Sequence, residues 1–169
     1  NIGTIPVQEK HQFDISGLQY FMEKEVDGFS GTLIAEEFAG GQSNPTYLLH
    51  AGDRRYVMRR KPPGTLLKSA HAVDREYRVL KALEETNVPV AKTFALCMDE
   101  EVIGTSFYVM EYLEGRVIWD STAGPYSPEE RAGFWSSAND AIARLHSVDY
   151  ESVGLSDFGR KGNYVSRQL

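Results

Sequence analysis

The strongest constraint on the fold is a change of hydrophobic period along the chain. "TLIAEEF" (32–38), "TYLLHAG" (46–52), "RYVMRR" (55–60), "KTFALCM" (92–98) and "TSFYVMEYL" (105–113) are five β-rich runs, each bounded by turn residues. "AGGQSNP" and a tight turn around Gly52-Asp53 separate the first three, which makes them an antiparallel meander. One helical pattern at about 70–86, with Ser69 placed as its cap, interrupts the series before the fourth run. An acidic turn and Gly104 join the last two. Past Gly115 the strand signals stop, and "SPEERAGFWSSANDAIARLHS" opens with Ser127 as cap, Pro128 in the first helical position and Glu130 closing a capping box. Phe134, Ala138, Ala141, Ile142 and Leu145 form its apolar stripe, expected to be buried. Ahead of the strands, Asp14 caps a short amphipathic helix carrying Leu18, Phe21, Met22 and Glu25 at helical spacing.

The expected class is therefore α+β: a five-stranded antiparallel sheet with one interposed helix, followed by the start of a helical region. The divisions fall at 1–30 (an N-terminal helical extension), 31–113 (the sheet), 114–120 (a hinge, "EGRVIWD") and 121–169 (the first part of a helical lobe).

Composition narrows the function classes. The 169 residues are 41% hydrophobic and 25% charged, enough apolar surface for a packed core. A net charge of −6 argues against nucleic-acid binding, which rests on a basic surface. The single cysteine, Cys97, has no partner for an intrachain disulfide, and a reducing compartment, the cytoplasm, is the expectation. No run approaches the roughly 18 apolar residues of a membrane span, and "NIGTIPVQEKHQF" lacks a signal-peptide core. The chain starts at Asn1 rather than methionine and stops at "VSRQL", which reads as a trimmed segment.

Four stretches carry candidate chemistry. In "FAGGQSNPTYLL", Gly40 and Gly41 let backbone approach a ligand, while Ser43 and Asn44 add short polar donors, as a loop over phosphates needs. The stretch is not a Walker A sequence and no helix follows it directly, which counts against a dinucleotide fold. In "YVMRRKP", strand alternation puts Val57, Arg59 and Lys61 on one face and Tyr56, Met58 and Arg60 on the other. The plain reading of those charges is an exposed strand edge. In the interposed helix, Glu76 lies inside the apolar stripe of Val73, Tyr77, Leu80 and Leu83, where a carboxylate is costly unless it meets a cation. The alternative is a glutamate that snorkels to water. Glu84 shares the arc but sits at the fraying end. In "FYVMEYLEG", a strand running into a hinge leaves backbone groups of Glu111 and Leu113 free to read a flat base, with Met110 behind them.

In this order the pieces resemble the nucleotide-binding lobe of the protein-kinase-like superfamily. The chain is similar to its aminoglycoside phosphotransferase and choline kinase branch, and most of all to the phosphotransferase-like family that also forms the N-terminal domain of some acyl-CoA dehydrogenase-type proteins. "GGQSNPTYLL", "RRYVMRRKPPG", "SAHAVDREYRVLKAL", "FYVMEYLEGR" and "VGLSDFGRKGNY" carry the likeness. The resemblance implies ATP as the nucleotide. Gly40, Gly41, Gln42, Ser43 and Asn44 would lie over its phosphates, Arg59 would stand where kinases usually have a phosphate-contacting lysine, and Glu76 would orient Arg59. Val57, Met110, Glu111 and Leu113 would surround the base.

Asp157-Phe158-Gly159 matches the tripeptide with which protein kinases hold magnesium. In them it follows a catalytic loop with a His-x-Asp or His-Gly-Asp core and an Asn five residues after its Asp. None of His11, His50, His71 and His146 begins such a core. Asp157 is therefore taken as a turn residue, and the family's catalytic and magnesium carboxylates are expected beyond Leu169. The resemblance thus implies the ATP-binding portion of a magnesium-dependent phosphotransferase acting on a small-molecule hydroxyl, with a hydroxyacyl thioester as one acceptor class; the charge and the lack of an apolar span leave neither nucleic acid nor membrane as an expected partner. A nucleotide-binding module without catalysis and a plain structural α+β domain are the alternatives.

Overall fold

A computed structural model of the chain describes residues 3–40, 43–64, 71–159, 162 and 166. The strands are β1 (Thr4–Pro6), β2 (Leu33–Phe38), β3 (Thr46–Ala51), β4 (Arg54–Arg60), β5 (Thr93–Cys97) and β6 (Phe107–Glu111). They form one sheet in the order β1-β2-β3-β4-β6-β5, every neighbouring pair antiparallel. The helices are α1 (Ile15–Glu25), α2 (Val73–Leu83) and α3 (Pro128–His146).

The sheet has six strands where five were expected. The addition is β1, which pairs Thr4, Ile5 and Pro6 with Phe38, Glu37 and Glu36. Three residues are too few to show a period of two, and Pro6, lacking an N–H, is tolerated only because this strand is an edge. The first thirty residues are thus not purely helical.

Alternation divides the sheet into two faces. Tyr47, Leu49, Tyr56, Met58, Ala95, Phe107 and Val109 point to one face and form the core with Leu18, Met22 and Val26. Leu18 and Met22 on α1 are 0% exposed, and each contributes roughly 1.5–3 kcal/mol by burial. Asp14 caps α1 by accepting from the Ser16 N–H. A Cβ at Gly17 would run into the Val102 carbonyl, so a glycine here lets α1 lie against the turn that precedes β6. Gly52, at φ 56°, supplies the left-handed residue of the β3–β4 turn.

α2 covers the other face, with Tyr77 edge-on to Tyr108 of β6 at 6.0 Å between centroids. It begins at Val73 rather than near residue 70, after His71 at φ 61°, and its cap is Ala72, which makes no side-chain cap bond. A left-handed residue cannot continue a helix, so His71 sets the boundary. Ser69, the expected cap, lies outside the described residues. Glu84 does not sit in water at a fraying end. Its side chain is 12% exposed and accepts from the N–H and the hydroxyl of Thr93, both at 2.5 Å, pinning the end of α2 to β5.

Past β6, residues 112–119 have no regular structure. α3 begins with the expected capping box of Ser127 and Glu130. Its expected buried stripe, however, is not buried: Ile142 and Leu145 are 51% and 46% exposed, as is Trp135 at 55%. The apolar stripe is real, but among the described residues no element packs over it. No described helix is long and apolar enough to cross a membrane.

Candidate functional site

The α2 face of the sheet carries Leu48, Val57, Arg59, Tyr108 and Met110, and the site is built there. Arg59 does not lie on an edge, because β4 is flanked by β3 and β6. Its Nε donates to Glu76 Oε2 at 2.6 Å and its Nη2 to Oε1 at 3.4 Å. Tyr108 donates its hydroxyl to Oε2 at 3.1 Å, and Asn44 donates Nδ2 to Oε1 at 2.9 Å. Both carboxylate oxygens are therefore doubly engaged, which answers the cost of placing Glu76 within the apolar stripe of α2. Burial, and then the negative charge of Glu76, push the Tyr108 hydroxyl well above the usual tyrosine range.

Asn44 has a different surrounding from the one the sequence suggested. It is 3% exposed, and its Oδ1 lies 2.7 Å from His71 Nδ1 while its Nδ2 holds Glu76. An amide oxygen only accepts, so His71 Nδ1 carries the proton. The side chain thus links the turn after β2 to the start of α2, and any contact to a ligand from this position would come from backbone. Gly40 and Ser43 flank the turn in exposed positions; Gly41 and Gln42 lie outside the described residues.

Two hollows flank Met110. One, of about 230 Å³, is lined by Phe38, Val57, Met110, Glu111, Leu113 and Val117 among others. The other, of about 550 Å³, lies between α2 and the sheet and is lined by Arg59, Glu76, Leu80, Tyr108, Met110 and Phe158 among others. Met110 is the partition, and four predicted residues, Val57, Met110, Glu111 and Leu113, meet at the smaller hollow. Leu113 is 60% exposed, and among the described residues its N–H donates to no protein acceptor. The Glu111 N–H, by contrast, is spent on the Lys92 carbonyl at 2.8 Å.

Sequence reasoning missed Phe38 and Val117. Phe38 is the last residue of β2, immediately ahead of the glycine turn, which is a signal that could have found it. Val117, in the irregular hinge, had none. Outside both hollows, Asp157 is held by Arg78 of α2, and this contact depresses its carboxyl below the usual range. It sits, as expected, in a turn, which the Phe158 N–H closes on the Leu155 carbonyl at 3.0 Å. Among the described residues no three His, Cys, Asp or Glu side chains gather as a metal site.

Comparison with known proteins places this geometry. Residues 34–169 match the phosphotransferase enzyme family. The chain belongs to that family. The chain is 47% identical over 171 residues to the probable acyl-CoA dehydrogenase IBR3 of Arabidopsis thaliana, covering 96% of this chain and 21% of the relative. It is 41% identical over 170 residues to acyl-CoA dehydrogenase family member 11 of Rattus norvegicus, covering 98% and 22%. The chain thus spans about a fifth of the length of these relatives. Among solved structures it superimposes, at a TM-score of 0.81 and 48% identity, on a crystal structure from Ralstonia eutropha JMP134 assigned to the aminoglycoside phosphotransferases, covering 93% of this chain and 45% of that one. The six-stranded antiparallel sheet with its interposed helix is the N-lobe of a kinase-like phosphotransferase fold.

Proposed function

We propose that the chain is the nucleotide-binding part of an ATP-dependent phosphotransferase that phosphorylates a hydroxyl of a small molecule. The observation that carries this reading is the Arg59 guanidinium, fixed by a fully bonded Glu76 on one side of Met110, with the hollow lined by Val57, Met110 and Leu113 on the other. A flat apolar base suits that hollow, whose lining includes Phe38, Val57 and Val117, with the Leu113 N–H at the hinge as its donor. Arg59 then faces the phosphates. Its forked guanidinium suits two phosphate oxygens, and the Glu76 contact keeps the fork from folding back into solvent.

ATP supplies the phosphoryl group, whose bond to the leaving oxygen breaks as the acceptor oxygen attaches, and the acceptor proton passes to a base. That base and the carboxylates for magnesium are not assigned to residues of this chain. In this proposal both come from the rest of a longer protein, in keeping with the 45% share of the solved relative that this chain covers. What these residues do is bind, orient and neutralise charge. The curated relatives are named as acyl-CoA dehydrogenases, which favours a hydroxyl on an acyl thioester as acceptor over an aminoglycoside. Cys97 is a buried free thiol, as suits a reducing compartment such as the cytoplasm.

The test is phosphoryl transfer by the full-length protein. With magnesium and ATP, phosphorus NMR should detect a new phosphate monoester on a hydroxyacyl thioester and none on aminoglycosides or choline. Tight ATP binding with no monoester on any alcohol would leave a nucleotide-binding module without catalysis.

A further inference from the structure

The Asp157-Phe158-Gly159 turn, which the proposed nucleotide site does not use, is fastened to α2. Arg78 donates from Nη1 and Nη2 to the Asp157 carboxylate, and from Nη2 to the Gly154 carbonyl at 2.8 Å. Arg75 donates to the Phe158 carbonyl at 2.8 Å and lies 4.0 Å over the Phe158 ring. Arg75 and Arg78 are three residues apart, so they share one side of the helix. Their partners follow the hinge and α3, more than 70 residues further along the chain.

Glu76 is the neighbour of Arg75, and Arg75, Glu76, Phe158 and Arg59 all line the same 550 Å³ hollow. The turn therefore holds α2 one residue from the carboxylate that orients Arg59. Elsewhere α2 is held through Glu76 to Arg59, Tyr108 and Asn44 and through the Glu84 that follows it to Thr93, but it has no side-chain cap and, of its own residues, only Val73 and Leu83, at its two ends, are buried. We propose that residues 154–158 are an inter-lobe latch that sets the position of α2, and through Glu76 the position of Arg59. Asp157, Arg78 and Arg75 are then positioning residues rather than ligands of metal or nucleotide. The proposal rests on the reading of Arg59 as a phosphate contact.

The chemistry suits a coupling contact better than a stabilising one. The Asp157 and Arg78 side chains are 73% and 43% exposed, and an exposed pair adds little to global stability. What the forked guanidinium adds is direction, since one side chain meets a carboxylate and a carbonyl in a fixed arrangement that a lysine would not reproduce. Loss of the latch should appear in how α2 sits, not in whether the protein folds.

The experiment uses the full-length protein with Asp157→Ala, Arg78→Ala, their double mutant, the swapped pair Arg78→Asp with Asp157→Arg, and Arg59→Ala as a control. ATP dissociation constants, melting temperatures and amide exchange of residues 73–83 are measured for each. The latch predicts ATP affinity about three- to tenfold weaker in each single mutant, faster exchange in α2, and little change in melting. The double alanine mutant should be no worse than Arg78→Ala alone, and the swapped pair, which restores the ion pair but not the donor to the Gly154 carbonyl, should recover part of the loss. Single mutants within twofold of wild type, with unchanged α2 exchange, would overturn the latch; a large loss in Arg59→Ala alongside them would leave the nucleotide site standing. If the wild type binds no ATP, that reading falls, and unchanged α2 exchange in Asp157→Ala would sink the latch as well. Loss of magnesium-dependent turnover in Asp157→Ala, with ATP affinity and α2 exchange intact and no rescue by the swapped pair, would make Asp157 a metal ligand and also overturn it.

Discussion

Arg59 and Arg60, adjacent in β4, point to opposite faces of the sheet and have opposite surroundings. Arg59 meets Glu76 at 2.6 Å with 32% of its side chain exposed, whereas Arg60 is 2% exposed, 5.5 Å from the Phe13 ring centroid, with its Nη1 unpaired. Burial lowers the Arg60 pKa, and burial, opposed by the Arg60 charge and aided by that of Glu37, pushes the Tyr47 hydroxyl up to about 12.

A buried cation without a carboxylate is replaceable by an apolar side chain of similar length. Arg60→Met should melt at or above the wild-type temperature and leave ATP binding unchanged. Arg60→Ala should lose about 2–4 kcal/mol, because it opens a cavity beneath Phe13. Denaturant titration of both variants checks this. A large destabilisation by methionine would show that the charge itself is needed.

Glu76 is the acceptor on which Arg59, Tyr108 and Asn44 converge. Its side chain is 35% exposed, so water replaces part of what is lost, and Glu76→Ala should cost only about 1 kcal/mol of stability. Its effect on kcat/KM for ATP should be larger, roughly tenfold or more, because Arg59 loses its orientation. Tyr108→Phe should reproduce a small part of the effect. Steady-state kinetics beside a thermal melt separates the two quantities, and a destabilised Glu76→Ala with wild-type kcat/KM would remove Glu76 from the site.

The parts legible in the sequence are those written in local period. Alternation in "YVMRR" placed Val57 and Arg59 together, the capping box marked α3, and a carboxylate inside the stripe of α2 pointed to a cation. The parts that were not legible depend on partners far along the chain. Asn44 bonds residues 27 and 32 positions away, and nothing in "GGQSNP" distinguishes that amide from one facing a ligand. The start of α2 depends on a left-handed His71 that resembles any helix residue in sequence. Asp157 reads as a turn residue until Arg78, 79 positions earlier, is brought against it.

Glu84 gives the acid limb of stability a specific origin. Burial raises its pKa, but the bonds from Thr93 and Lys81 outweigh that effect and leave it below its ordinary 4.5. A depressed folded-state pKa means a contribution that is complete above about 4.5 and is lost as pH falls through the folded-state value. Glu84→Gln should therefore lower stability near neutrality and flatten its decline below pH 4.5. Melts from pH 7 to pH 3 check it, and parallel curves for mutant and wild type would reject it.

The proposed grip of Arg59 on phosphate is read directly by calorimetric titration of the full-length protein and its Arg59→Ala variant with ATP. Truncating a charge-assisted contact costs about 1.5–3 kcal/mol, so the variant should bind ATP roughly tenfold to a hundredfold more weakly, with its melting temperature nearly unchanged. Adenosine, which has no phosphate, should bind the two proteins equally. An Arg59→Ala variant that binds ATP as tightly as wild type would contradict the account.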